Sequence, residues 1–160
     1  MTHIHSTALI GDCVQIEDDV YIGPYCIIGY PAEWKGNEDA NAGVVIKSGA
    51  RLTGLVTVDT GVNAPTIIGS NSYLMKHSHV GHDAVLGEGV TLSCGAKVGG
   101  HSQIGDGTNV GLNAVIHQKV YVPAGCMIGA SAFVGKKTEL KPFRKYAGVP
   151  AKDIGSNERI

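Results

Sequence analysis

Residues 68–139 divide into sixes without a remainder: IGSNSY, LMKHSH, VGHDAV, LGEGVT, LSCGAK, VGGHSQ, IGDGTN, VGLNAV, IHQKVY, VPAGCM, IGASAF, VGKKTE. Each six opens on an aliphatic residue: Ile68, Leu74, Val80, Leu86, Leu92, Val98, Ile104, Val110, Ile116, Val122, Ile128 and Val134. Only 39 of the 160 residues are Ile, Leu or Val, so twelve consecutive matches in one register arise by chance less than about once in a million trials. Glycine follows the aliphatic residue at 69, 81, 87, 99, 105, 111, 129 and 135, where a turn wants either a positive φ or no side chain. Four places after the aliphatic residue the chain is always small or β-branched, from Ser72, Ser78 and Ala84 through to Cys126, Ala132 and Thr138. Such a unit buries one large and one small side chain in a narrow interior and then turns a corner. Three units close a triangle of 18 residues, a repeat architecture rather than a conventional globule.

The same beat opens the chain at Ile4, Ile10, Ile16, Ile22 and Ile28 and returns at Ile46, Leu52 and Val58. Two insertions interrupt it. The first, YPAEWKGNEDANAG over residues 30–43, is polar, turn-forming and holds the one tryptophan, so it reads as a loop projecting from a coil. The second is a slip of ten residues between Val58 and Ile68 that sets Asn63-Ala64-Pro65-Thr66 in a shorter insertion. Twenty hexads make six to seven coils, which stack at about 4.8 Å into a parallel β-helix. The expectation is one all-β β-helix over residues 1–138, closed by a tail or short helix over 139–160 that covers the exposed end.

The 13 Lys and Arg balance 14 Asp and Glu, so no general attraction to nucleic acid or anionic membrane is expected. No stretch is apolar for long enough to span a membrane, and the start has no charged segment followed by an apolar one. A cytoplasmic protein is the expectation. Cys13, Cys26, Cys94 and Cys126 are widely spaced without a CxxC, against a zinc knuckle or a disulfide framework. They read as core or turn fillers, with Cys26 and Cys126 on small interior positions.

Five of the seven histidines lie between 77 and 117. Divided by the 18-residue coil, His82, His101 and His117 leave remainders 10, 11 and 9, so they stack on one edge of three successive coils. His77 and His79, at remainders 5 and 7, sit further round the same turn. Asp83 follows His82, and His117 occupies a position that is glycine in eight of the twelve repeats. A row of imidazoles beside a carboxylate can hold one as a neutral base near pH 7. A flat face leaves no room for substrate, but prisms that associate side by side would turn this edge into a cleft. Gly99-Gly100 beside His101 adds backbone N–H groups without side-chain obstruction, suited to a developing oxyanion.

These residues, with PAEWK, HVGHD, GGH and HQ in order, give a chain that resembles the hexapeptide-repeat, left-handed β-helix acyltransferases. Within them it is most similar to the UDP-N-acetylglucosamine O-acyltransferases of lipid A biosynthesis. The resemblance covers residues 1–138. It implies left-handed winding and a homotrimer with active sites between subunits. It implies acyl transfer from an acyl carrier protein thioester to a hydroxyl of UDP-N-acetylglucosamine or a similar nucleotide-activated amino sugar. His82 matches the general base, Asp83 its orienting carboxylate, and Gly100 the backbone donor to the oxyanion. His79, His101, His117 and Gln118 match residues that contact substrate, and Glu33 and Lys35 match a loop acid and lysine that reach over a neighbouring subunit's site. Met127 and Ala130 match the acyl-chain pocket, where Ala130 in place of glycine shortens the slot toward a short or medium acyl group. No metal and no tightly bound cofactor are expected beyond the thioester donor.

The chain is expected to lack the C-terminal helical domain of that family, and it closes instead on YAGVPAKDI, similar to the GxPAK ending of hexapeptide acetyltransferases that use coenzyme A. Lys136, Lys137, Lys141, Arg144 and Lys145 form a basic segment suited to coenzyme A phosphates or an acidic carrier protein. Three further readings stay open: an acetyl-CoA-dependent amino-sugar acetyltransferase, a metal hydratase like the γ-class carbonic anhydrases using the H-x4-H pair His77 and His82, and a noncatalytic trimeric scaffold.

Overall fold

The computed structural model describes residues 1–36 and 39–158. Expectations about residues 37, 38, 159 and 160 lie outside the described residues. Among these, every regular element is a strand, most of them only two residues long. The chain winds over three parallel sheets that form the faces of a triangular prism.

The first face stacks His3–Ile4, Tyr21–Ile22, Arg51–Leu52, Tyr73–Leu74, Thr91–Leu92, Asn109–Val110 and Met127–Ile128. The second stacks Leu9–Ile10, Ile27–Tyr30, Thr57–Asp59, His79–Val80, Lys97–Val98, Val115–Ile116 and Phe133–Val134. The third stacks Val14–Ile16, Val44–Ile46, Thr66–Ile68, Val85–Leu86, Gln103–Ile104 and Tyr121–Val122. Register within the uninterrupted repeats is one coil per 18 residues: Leu74 lies beside Leu92, Val80 beside Val98 and Leu86 beside Ile104. The corners close on themselves with bonds such as Ala96 N–H to Ser93 O at 3.0 Å, but the strands bond to neighbouring coils. Tyr73 N–H donates to Val90 O at 2.8 Å and Gly81 N–H to Val98 O at 2.8 Å, so each coil is held by the next.

The twelve aliphatic residues from Ile68 to Val134 are all 2% exposed or less. The small positions are buried beside them, with Ala84, Ala96 and Ala114 fully enclosed. Where the small residue is polar, its hydroxyl turns to the backbone of an adjacent turn: Ser102 Oγ donates to His117 O at 2.8 Å and Thr108 Oγ1 to Pro123 O at 2.9 Å. Ser78 departs from this pattern, since its Oγ is buried without a hydrogen-bond partner.

Of the two reasons that the sequence allows for glycine after the aliphatic residue, the structure selects the absence of a side chain. A Cβ on Gly69 would lie 2.0 Å from Gly87 O, against the backbone of the next coil. The positive φ falls two residues later, in the fourth place of the hexad, at Asn71, His77, Asp83, His101, Asn113, Lys119 and Ser131 and at the glycines between them.

Among the described residues the C-terminal segment is extended, with no helix. Arg144–Ala147 adds to the first face beside Met127–Ile128, and Lys152–Ser156 returns antiparallel to it. Pro142, Gly148, Pro150 and Gly155 disfavour a helix here. The hairpin covers the last coil: Tyr146 is 1% exposed, Asn157 Nδ2 donates to Gly125 O at 2.9 Å, and Arg144 grips Asp153 through two 2.8 Å bonds.

Leu92→Ala should cost about 2 to 5 kcal/mol because the ladder has no neighbour able to collapse into the void. Ser78→Ala should raise stability by about 1 kcal/mol by removing an unpaired buried hydroxyl. Chemical denaturation of the two variants, with opposite shifts in midpoint, checks this pair.

Candidate active site

Every residue between the second and third faces belongs to one edge of the prism, and both insertions leave the coil there. Residues 31–43 connect Ile27–Tyr30 to Val44–Ile46, and residues 60–65 connect Thr57–Asp59 to Thr66–Ile68. The turns carrying His82, His101 and His117 are the next three on that edge.

His82 and Asp83 form a closed pair. His82 Nδ1 meets Asp83 Oδ2 at 2.8 Å, and the Asp83 side chain is 4% exposed. The Asp83 carboxylate also accepts Val62 N–H at 2.9 Å and the Asn63 and Ala64 N–H groups, both at 2.8 Å. The ten-residue slip is thus a backbone cradle for this carboxylate. Burial alone would raise the Asp83 carboxyl, but the hydrogen bond with His82 and the three backbone donors outweigh it and hold it at about 2. A permanent carboxylate on Nδ1 fixes the ring so that Nε2, with no partner among the described residues, is the atom offered to a substrate.

Gly100 lies directly against that atom. A Cβ on Gly100 would stand 2.7 Å from His82 Nε2 and 3.0 Å from both neighbouring ring carbons. The Gly100 N–H donates to no protein acceptor among the described residues, while its carbonyl accepts Lys119 N–H at 2.9 Å. His101 packs edge-on against His82 with ring centroids 4.8 Å apart, and Trp34 of the long loop stacks on His82 at 5.9 Å with planes 8° apart. The structure therefore brings together His82, Asp83, Gly100 and His101, as the period places them.

The remaining expected residues lie around this centre. The His79 Nδ1 meets Thr57 Oγ1 at 2.8 Å and its Nε2 stands 3.8 Å from Asp59 Oδ2. His117 turns away, with Nδ1 on Gln118 O at 3.0 Å and its ring edge-on to Phe133. It opens a groove of about 730 Å³ shared with Phe133, Lys136, Lys137, Lys141 and Lys152. Of the five expected basic residues, Lys136, Lys137 and Lys141 line this groove, while Arg144 is committed to Asp153. Glu33 and Lys35 sit with Trp34 around a smaller cavity of about 430 Å³ in the long loop. Met127 and the exposed Ala130 belong to the first face and the corner after it, so one chain does not bring them to the histidine edge.

Asp59, Thr57, Trp34 and the 62–64 cradle go beyond the residues picked out from the sequence. Asp59 had a usable signal: like His117, it replaces glycine in the place after the aliphatic residue. Burial pushes its carboxyl up, helped by the charge of Glu33 and opposed by His79, the Glu33 backbone and His82.

His82, Asp83 and His101 also form the one potential metal-ligand group among the described residues, with ligand atoms within 4.8 Å of one another. The hydrogen bonds on Asp83 occupy both its oxygens, and His82 Nδ1 is committed. Two imidazole nitrogens remain, one fewer than the three protein ligands of a catalytic zinc. His77 is exposed and outside the group. The donor set suits a hydrogen-bonded base better than a metal centre.

Residues 65–100 match the family model of the bacterial transferase hexapeptide, described as six repeats. That match lies almost entirely within the run of hexads and covers less than half of the chain. The chain is 40% identical over 77 residues to an acyl-[acyl-carrier-protein]–UDP-N-acetylglucosamine O-acyltransferase of Campylobacter lari, an alignment covering 46% of this chain and 29% of that one. It thus spans less than a third of that relative's length in the alignment. Its fold superposes on LpxA from Acinetobacter baumannii with a TM-score of 0.80 and 26% identity, over 96% of this chain and 74% of that one. A second solved structure, a histidine-to-alanine mutant of GDP-perosamine N-acetyl transferase from Caulobacter crescentus in complex with CoA and GDP-perosamine, matches with a TM-score of 0.63 and 19% identity, over 98% and 57%. Superposition at this level requires a shared winding hand, so this chain coils in the same sense as these β-helices.

The Asp83 carboxylate yields a pH prediction. Its pKa is about 2 when folded against an ordinary 3.8, so its contribution is complete above pH 3.8 and is lost as pH falls through 2. Between pH 5 and 2.5 the wild type should lose about 1 to 2 kcal/mol more stability than Asp83→Asn, measured by urea unfolding at both values.

Proposed function

We propose that this protein is an acyltransferase that moves an acyl group from an acyl carrier protein thioester to a nucleotide-activated amino sugar, UDP-N-acetylglucosamine or a close analogue, in the cytoplasm. The observation that carries the reading is the His82 Nε2 atom, oriented by Asp83 and set against the bare backbone of Gly100. An acyl transfer site needs a base at the attacking atom and a fixed donor at the carbonyl oxygen, and those two groups are adjacent here.

In this mechanism the acceptor's proton passes to His82 Nε2 as its oxygen attacks the thioester carbon. Asp83 stays ionised and stabilises the imidazolium that forms. The Gly100 N–H faces the developing oxyanion, and collapse of the tetrahedral species breaks the C–S bond while His82 returns the proton to the departing sulfur. The groove beside His117, where Lys136, Lys137, Lys141 and Lys152 outnumber Glu139 and Asp153, suits the phosphate and carrier end of the donor. His101, Gln118, Glu33 and Lys35 hold the sugar nucleotide, and Met127 with Ala130 bounds the acyl chain from a neighbouring subunit of a homotrimer. No resident metal or cofactor takes part in this scheme.

A second reading is supported by the solved GDP-perosamine N-acetyl transferase complex with CoA. In that reading the donor is acetyl-CoA and the attacking group is an amine.

Mass spectrometry of reactions containing UDP-N-acetylglucosamine with acyl carrier protein thioesters or acyl-CoA tests the proposal. His82→Ala should lower turnover at least 100-fold. Gly100→Ala, whose methyl group would collide with His82 Nε2, should do the same with the fold intact by circular dichroism. Activity that survives both substitutions would remove this centre from the reaction.

A further inference from the structure

Trp34 is the only tryptophan of the chain and stands in an insertion that obeys no period, so the core does not dictate its place. It adds little to the core either, since it is 45% exposed. Its indole instead stacks on the His82 ring, with centroids 5.9 Å apart and planes 8° apart. The loop is tied down at its base. Gly43 N–H donates to Thr60 Oγ1 at 3.0 Å, Gly61 N–H to Gly43 O at 2.9 Å and Thr60 N–H to Tyr30 O at 2.9 Å. The insertion that cradles Asp83 through residues 62–64 thus also clasps, through Thr60 and Gly61, the loop that carries Trp34. Nearer the indole, Trp34 N–H turns back to Ala32 O at 2.7 Å, and the Glu33 backbone lies against the Asp59 carboxylate.

Asp83 holds His82 Nδ1 at 2.8 Å, which fixes one atom of the ring and leaves its plane free to tilt. Two aromatic neighbours set the plane, Trp34 parallel to it and His101 at 85° to it. An indole face offers a neutral imidazole packing alone, whereas a cation within about 6 Å of the ring centroid is also attracted by the ring quadrupole, most strongly for tryptophan. His82 becomes such a cation when Nε2 takes the acceptor's proton, and it remains one until the proton passes to the departing sulfur. An attraction that appears at that moment is stronger in the transition state than in the ground state, so it raises kcat without tightening substrate binding.

We propose that Trp34 is a positioning residue for the general base, holding the plane of the His82 ring and stabilising the imidazolium that forms as the acceptor is deprotonated. The catalytic role rests on the acyl-transfer reading, whereas the effect of the indole on the charge of the ring needs no substrate. The titratable groups around this imidazole are Asp83 on its own turn, His101 on the next coil and Asp59 on the preceding one, with Glu33 and Lys35 flanking Trp34 on the loop. Substitutions at Trp34 leave all of them in place.

Trp34→Leu keeps an apolar side chain without a π face, and Trp34→Phe restores a face. With UDP-N-acetylglucosamine and acyl carrier protein thioesters or acyl-CoA, Trp34→Leu should lower kcat about tenfold and change KM for either substrate less than threefold, and Trp34→Phe should bring kcat back to within about threefold of wild type. Without substrate, the ratio of protonated to neutral His82 at pH 7, read by NMR of histidine-labelled protein with His82→Gln to assign the signal, should fall about threefold in Trp34→Leu and recover in Trp34→Phe. The effect in the free protein is the smaller one because the half-exposed indole is still hydrated there, and bound substrate dries the stack. An unchanged or raised kcat in Trp34→Leu, a loss carried by KM, a loss that Trp34→Phe does not repair, or an unchanged protonation ratio overturns the proposal. Absence of product from every donor in wild type overturns the acyl-transfer reading instead. The protonation ratio alone then judges Trp34: the fall in Trp34→Leu supports its hold on the imidazolium, and an unchanged ratio overturns it.

Discussion

The structure depends on the close approach of one coil to the next. Each coil leaves the backbone groups of its strands to its neighbours, so the spacing between coils is fixed by hydrogen bonds such as Tyr73 N–H to Val90 O. At that spacing a Cβ on most of the glycines after the aliphatic residue would run into the neighbouring coil, as the 2.0 Å approach of a Gly69 Cβ to Gly87 O shows. The interior is correspondingly narrow, one large and one small side chain per face. A chain built this way has little freedom to form a cleft inside itself, so its chemistry must lie on an edge.

That edge is also where the repeat is broken. The loop over 31–43 lays Trp34 across His82, and the insertion over 60–65 presents three consecutive N–H groups to Asp83. A turn of ordinary length would have left Asp83 as an exposed corner residue with a positive φ, like Asn71 or Lys119 in the same place of their hexads. With the cradle it becomes a buried anion, and His82 gains a fixed orientation. The two departures from the period do for the site what the period does for the core.

Much of this was legible from particular residues. The aliphatic ladder from Ile68 to Val134 was readable because two-residue strands with a strict six-residue beat have one interior position each. The grouping of His82, Asp83, Gly100 and His101 was readable because an 18-residue coil converts sequence distance directly into position on an edge. The reason for glycine was only half readable, since composition alone does not separate a positive φ from a close contact. The C-terminal hairpin was harder, because after Val134 no period remains to fix which residues meet.

The sequence by itself determined the prism, its register and which edge carries the histidines, since a fixed repeat leaves one way to stack the coils. The tertiary structure alone decided what each polar side chain does on that edge. The 62–64 backbone reaches Asp83 across about twenty residues, Thr57 reaches His79 across 22, and Trp34 reaches His82 from an insertion that obeys no period. Such contacts depend on how irregular segments fold back in three dimensions, and no spacing rule encodes them.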